Sequence, residues 1–174
     1  MKTIFFKSIF IILFLILDTK TYGQYRKEII EDINNILGEV KNVTIQISDS
    51  HPKNIKHTYM KLSEHASKKD WVTLTTVTSW GGNYADLTLT YSFDPKTIKD
   101  FSMNDEVDKE RRNKAFLFAI NCNHNAVEMT SDQGGNNSRN KASSAVVYIM
   151  MKGRDGYENY DELKELFSEF AYND

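Results

Sequence analysis

The spacing of hydrophobic residues changes along the chain and predicts a mixed α+β fold. Apolar residues recur at helical spacing over residues 25–37, which predicts an amphipathic helix that Gly38 ends. The same spacing over about residues 52–69 predicts a second helix, with Pro52 in its first turn. A third helix is predicted over residues 158–171, where leucine and phenylalanine form one stripe.

Elsewhere in the chain the apolar residues alternate with polar ones and predict an antiparallel sheet. The clearest pair of strands is joined through Gly81-Gly82-Asn83 as a hairpin. The predicted strands cover residues 43–47, 71–79, 87–93, 114–122, 126–130 and 142–152. Residues 103–113 are strongly charged and are expected to form a solvated loop or a short exposed helix. We therefore expect an α+β fold in which an antiparallel sheet of about five strands packs against two N-terminal helices and one C-terminal helix.

The first 23 residues have the pattern of a secretory signal peptide. Lys2 and Lys7 precede an apolar run over residues 9–17, and a polar break then leads to small or near-small residues at Thr21 and Gly23. The run is shorter than the roughly 20 residues that a membrane span requires. We expect cleavage after Gly23, a single globular domain over residues 24–174, and a periplasmic or extracellular location.

Charge and cysteine content narrow the classes of function. Removal of Lys2, Lys7, Lys20 and Asp18 with the signal peptide changes the formal charge from −2 to −4. A mildly acidic chain has no electrostatic reason to bind nucleic acid or anionic lipid. Cys122 is the only cysteine, so an internal disulfide is excluded, and its place in an alternating strand favours burial in the core.

No linear motif for catalysis, a metal or a cofactor is present. Cys122 and His124 lie on one strand face, but a third metal ligand is not visible, and the pair is poorly arranged as a catalytic dyad. On the second predicted helix, His57 and His65 are too far apart to share a metal. The Asp-, Asn- and Gly-rich loop over residues 132–137 lacks the spacing of a calcium loop and is explained by hairpin turns. We assign no catalytic, cofactor or metal residue.

Aromatic and acidic residues give the best candidates for a binding surface. Trp80 and Tyr84 flank the predicted hairpin tip, and aromatic residues at an exposed tip are typical of a surface that binds protein or sugar. The candidate contacts are Trp80, Asn83, Tyr84, Asp105, Glu106 and Asp108. We expect a non-catalytic exported domain that binds another protein, for instance as an inhibitor or immunity-type partner of an exported toxin or hydrolase.

Two alternatives remain open at this point. An envelope hydrolase that acts on sugar or peptide through carboxylates would be favoured by a pocket with converging acids, or by Cys122 exposed beside His124. A carbohydrate-binding surface would require the rings of Trp80 and Tyr84 to be exposed and roughly coplanar. The sequence does not identify the partner or the oligomeric state.

Overall fold

The computed structural model describes residues 23–41, 44–45, 55–107, 114–147 and 155–172, which contain two helices and nine strands. Helix α1 covers residues 23–40. The strands are β1 (Thr44–Ile45), β2 (Ile55–Glu64), β3 (Val72–Ser79), β4 (Leu87–Phe93), β5 (Ile98–Val107), β6 (Lys114–Cys122), β7 (Val127–Gln133), β8 (Asn136–Ala142) and β9 (Ser144–Val147). A 3-10 turn, Pro95–Thr97, joins β4 to β5, and helix α2 covers Asp155–Tyr172. The fold is α+β with antiparallel strand pairing. The predicted signal peptide, apart from Gly23, lies outside the described residues.

Helix α1 forms as predicted, but it is longer than predicted. Its apolar residues share one buried face, made of Ile29, Ile33, Ile36, Leu37 and Val40. Gly38 does not end the helix, which continues through residue 40. A glycine costs about 1 kcal/mol in a helix interior, whereas burying a valine side chain contributes about 1.5–3 kcal/mol. The burial of Val40 therefore outweighs the poor helix propensity of the exposed Gly38.

The second predicted helix is wrong, because residues 55–64 form strand β2. A β-bulge lies between His57 and Tyr59 and shifts the alternation of buried positions. Ile55 and His57 are buried before the bulge, whereas Met60 and Leu62 are buried after it. The buried positions change from odd to even residue numbers at the bulge. The resulting spacing of the apolar residues resembles that of a helix. His57 is therefore a buried strand residue rather than a residue on a helix surface.

Strands β3 and β4 form the predicted hairpin. In β3 every second residue is buried, from Val72 through Leu74 to Thr76. Leu74 lies opposite Tyr91 and Val72 lies opposite Phe93, so the two strands present their buried side chains to the same side of the sheet. This shared register makes one apolar face from two alternating sequences.

The strands form two sheets that are joined at a bend. The six-stranded sheet has the order β1-β2-β3-β4-β7-β8, and the three-stranded sheet has the order β5-β6-β9. The chain passes between the sheets three times, from β4 to β5, from β6 to β7 and from β8 to β9. Because β4, β7 and β8 have the same relative order as their continuations β5, β6 and β9, the smaller sheet extends half of the larger one beyond the bend.

Two segments predicted as irregular belong to strands, so the sheet of about five strands was an underestimate. Residues 103–107 are part of β5 and pair with residues 114–118 of β6, while residues 108–113 lie outside the described residues. Strand β8 begins at Asn136, six residues before the predicted strand at residue 142. Neither segment has alternating hydrophobic residues, and pairing with the neighbouring strand makes them extended.

One hydrophobic core connects both sheets with both helices. Helix α2 contributes Leu163, Phe167 and Phe170, which confirms the predicted C-terminal helix and its apolar stripe. The ring of Phe118 on β6 stacks on Phe101 of β5 with 5.7 Å between centroids, and lies 6.2 Å from the ring of Phe167. These aromatic contacts attach α2 to the smaller sheet.

Two side chains of α1 hold the helix against the rest of the fold. The Nδ2 atom of Asn34 donates to the carbonyl of Leu62 at 2.9 Å, and Oδ1 accepts from the amide of Leu62 at 2.7 Å. Asn34 thus pairs with the β2 backbone much as a neighbouring strand would. Arg26 is buried, donates from Nη2 to the carbonyl of Asp70 at 2.6 Å, and lies over the ring of Phe170 at 4.4 Å.

We predict that Asn34→Ala lowers the free energy of unfolding by about 1–3 kcal/mol, because it removes two hydrogen bonds to a partly buried backbone. Urea unfolding followed by circular dichroism measures this change. Asn35→Ala is the matched control, since Asn35 is the next residue of the helix and is exposed. Equal effects of the two substitutions would show that the Asn34 amide does not stabilise the edge of β2.

Candidate functional site

Three of the predicted contact residues lie on one connection, residues 80–86, between β3 and β4. Gly81 and Gly82 have φ angles of 71° and 68°, in the left-handed region that glycine adopts without strain. Asn83 is exposed, and Tyr84 is 53% exposed, among the largest apolar exposures in the described part of the chain. The connection therefore presents an aromatic and an amide side chain to solvent at the end of the six-stranded sheet.

The turn between β7 and β8 supports this connection. Gln133 donates from Nε2 to the carbonyl of Ala85 at 3.3 Å. Gly134 has a φ of 60°, and a Cβ atom there would lie 3.2 Å from the Cβ of Ala85, so a larger residue would be both strained and crowded. Asp132 stabilises the same turn by accepting the amide of Gly135 at 3.0 Å. The two connections thus form one end of the sheet.

Trp80 is oriented differently from Tyr84. Its side chain is partly buried, and its indole Nε1 is buried with no hydrogen-bond partner among the described residues. A carbohydrate-binding platform requires two exposed rings, and this connection presents the ring of Tyr84 far more fully than that of Trp80. The partly buried side chain of Trp80 therefore packs within the connection and does not form a stacking surface for sugar.

The acidic candidates lie on the other sheet. Asp105 and Glu106 are on β5 and pair with Phe116 and Ala115 of β6, while Asp108 lies outside the described residues. Strand β4 leads from the connection at residues 80–86 to the bend, and β5 leads away from the bend on its other side. The aromatic and acidic candidates therefore lie on opposite sides of the bend, and they do not form one surface at the end of a sheet.

Cys122 is a buried residue at the bend, as its alternating sequence predicts. Burial raises the pKa of its thiol, a smaller effect of Asp94 acts in the same direction, and a hydrogen bond with Thr97 opposes them. His124 is exposed in the following turn. A buried thiol with a raised pKa is a poor nucleophile, which removes the main structural support for a cysteine-dependent hydrolase.

The histidines on β2 and its turn have structural contacts. His57 is buried, and its Nδ1 lies 3.0 Å from the hydroxyl of Thr78 on the neighbouring strand. His65 follows β2, and its Nδ1 accepts the backbone amides of Ser67 and Lys68, each at 3.1 Å. Within the described residues, no group of three histidine, cysteine or acidic side chains is placed to hold a metal ion.

A charged cluster on the outer face of the six-stranded sheet was not predicted. The carboxylate of Glu128 on β7 lies 2.8 Å from the Nζ of Lys68 and 3.4 Å from the Nη2 of Arg139 on β8. Lys68 also lies over the ring of Trp71 at 3.6 Å. The hydrogen bond from Lys68 and the nearby charge of Arg139 lower the pKa of Glu128. Glu128 therefore stays ionised and joins the β2–β3 turn to the sheet edge.

The sequence holds one signal for this cluster, the pair Gly134-Gly135. Two glycines between polar residues are typical of a tight β-hairpin, and such a turn would have placed residues 127–133 opposite residues 136–142. The observed register pairs Glu128 with Lys141 and Thr130 with Arg139. The loop over residues 132–137 is thus the tip of the β7–β8 hairpin.

None of the known protein families, curated proteins or solved structures compared with the chain matches it. Within the described residues, neither helix is both long and apolar enough to cross a membrane.

We predict that Cys122 in the native protein reacts at least about a hundredfold more slowly with a thiol reagent than in urea, because burial hinders both access and ionisation. Mass spectrometry of the labelled protein measures both rates. Because burial raises the pKa of the Cys122 thiol above its ordinary value, this group stabilises the fold fully at pH values below that ordinary pKa. Its contribution is lost as the pH rises through the folded-state pKa. Equal labelling rates in the two states would contradict a buried thiol.

Proposed function

We propose that the protein is an exported, non-catalytic domain that binds another protein, in the manner of an inhibitor or immunity-type partner. The observation that carries this proposal is the supported end of the six-stranded sheet, where Tyr84 is exposed beside Asn83. Tyrosine supplies a large contact area with only two rotatable side-chain bonds, so it loses little entropy on binding. Binding to a structured partner is the use that best fits such a residue.

The supporting contacts favour a preorganised binding surface. Gln133 and Gly134 hold Ala85, the residue next to Tyr84, against the β7–β8 turn. A connection held in this way loses less conformational freedom on association than a free loop. The burial of Cys122 and the partial burial of Trp80 give less support to the hydrolase and carbohydrate alternatives.

Cleavage at the expected site would keep the contacts that Tyr25 and Arg26 make with the rest of the fold. The hydroxyl of Tyr25 donates to Glu169 of α2 at 2.9 Å, and Arg26 contacts the β2–β3 turn and α2. Cleavage after Gly23 would leave both residues in the mature chain.

We predict that expression of the full chain in a secretion-competent bacterium yields a mature protein that begins at Gln24. Intact-mass measurement is expected to give the mass of residues 24–174, or that mass less one ammonia if the N-terminal glutamine has cyclised. Gly23→Arg is the matched variant, because a large charged residue at the cleavage site blocks processing. An uncleaved wild-type chain in the cytoplasm would contradict export by this route.

For the binding function, we predict that the purified protein retains one stoichiometric protein partner from an extract of its native host. Tyr84→Ala is expected to weaken that complex by about 2 kcal/mol, or roughly thirtyfold in Kd, because it removes a central aromatic contact. Mass spectrometry identifies the partner, and calorimetry with the purified partner measures the affinity.

Tyr172→Ala is the matched control, since Tyr172 is an exposed tyrosine at the end of α2, with 83% of its surface accessible. The proposal predicts full affinity for this variant. Equal weakening by both substitutions would place the interface elsewhere, and the absence of any retained protein would count against a binding function altogether.

A further inference from the structure

Strand β8 is the last strand of the six-stranded sheet and has one unoccupied edge in the described part of the chain. It pairs with β7 from Gln133–Asn136 to Val127–Ala142 in an unbroken antiparallel register. No described strand pairs with its other edge. Residues 136–141 are all exposed, and none is proline. The backbone N–H and C=O groups of every second residue therefore point away from the sheet and, among the described residues, have no strand partner.

The charges beside this edge are not balanced. Lys68 and Arg139 both contact the carboxylate of Glu128, and Lys141 lies directly opposite Glu128 in the register. Two cations thus contact one carboxylate on the outer face of the sheet, a third cation lies opposite it, and Asp132 is a second acidic residue of β7 on that face. The side chain of Arg139 is 74% exposed, so the contact with Glu128 leaves most of its guanidinium accessible. The edge therefore carries a local excess of positive charge in a protein that is acidic as a whole.

The opposite face of β8 carries no charge. Asn136, Ser138 and Asn140 alternate with Asn137, Arg139 and Lys141, so they lie on the other side of the sheet. The hydroxyl of Ser138 lies 2.7 Å from that of Ser131 on β7. A strand that pairs with β8 would thus meet cations on one face and small polar groups on the other.

We propose that β8 binds an extended acidic segment of the partner protein as an added strand, with acidic residues two positions apart opposite Arg139 and Lys141. This inference deepens the proposed function and depends on it. Main-chain hydrogen bonds would supply affinity, and the two cross-strand charge pairs would supply specificity. Between the two acidic positions, a small polar residue would face Asn140.

The same charges disfavour a second copy of this chain as the occupant. An antiparallel β8–β8 pair would place the Arg139 and Lys141 side chains of both copies on one face, next to each other. Like charges at such close positions destabilise strand pairing. Charged side chains protect many natural sheet edges from indiscriminate pairing. At β8 that protection is selective, since it opposes basic and identical strands and attracts acidic ones.

The test uses the purified protein and a short synthetic peptide in which glutamate alternates with threonine, together with a matched peptide in which lysine replaces glutamate. Hydrogen exchange followed by NMR is the main readout. The proposal predicts that the glutamate peptide slows exchange at every second amide of residues 136–142, namely those that point away from β7. The lysine peptide is expected to change nothing.

Arg139→Glu/Lys141→Glu is the diagnostic double variant, and Lys61→Glu is its control. Lys61 lies in the same cross-strand row as Arg139, but on β2, with three strands between them. That separation exceeds the Debye length of about 8 Å at physiological ionic strength. We expect the double variant to bind the glutamate peptide at least about tenfold more weakly and to gain binding of the lysine peptide, while Lys61→Glu keeps the wild-type preference.

The remaining outcomes separate this inference from the proposed function. Glutamate-peptide binding without protection of β8 amides would reduce the interaction to charge attraction and overturn strand addition. No binding of either peptide would also overturn it. In both cases a partner complex that depends on Tyr84 would leave the proposed function intact. Loss of that complex in the double variant, but not in Lys61→Glu, would extend the result from the peptide to the natural partner.

Discussion

The bend between the two sheets is the constraint on which the rest of the fold depends. At this point the amide of Cys122 donates to the carbonyl of Ser143 at 2.8 Å, and the amide of Asn123 donates to the carbonyl of Thr97 at 2.8 Å. These bonds connect the three neighbouring points at which the chain passes from one sheet to the other. The regular hydrogen bonding between strands is interrupted there. Asp94 starts the 3-10 turn beside them by accepting the amide of Lys96. The bend brings β6 and α2 into the same core as β3 and β4, and so closes the fold.

The main elements could be predicted because their burial follows a regular period. Helix α2 and the β3–β4 hairpin each have one apolar face, so the sequence pattern and the packing agree. Strand β2 could not be predicted in this way, since the bulge after His57 changes which parity faces the core. Strand β8 lacks any apolar alternation, because residues 136–141 are exposed and only Ala142, at the end of the strand, packs against the core. In both cases the neighbouring strand decides the conformation, and that information is distant in sequence.

The candidate site was predictable to a smaller extent. Trp80, Asn83 and Tyr84 come together because they are neighbours in sequence, whereas Asp105 and Glu106 lie beyond the bend. The charged cluster depends on a register that places Glu128 near residues from two other segments. A sequence pattern does not encode such a register unless both strands alternate clearly, so the positive edge of β8 became visible only in the folded chain.

Helix α1 has a role that its sequence pattern alone does not suggest. Through Asn34 it occupies part of the edge of β2 that another strand would otherwise extend. Because α1 precedes β2 in the chain, the helix is synthesised before the strand edge that it covers. In a nascent chain, Asn34 of α1 is therefore already present when β2 leaves the ribosome. The edge of β2 at Leu62 is thus covered by a helix of the same chain, whereas the outer edge of β8 has no strand partner among the described residues.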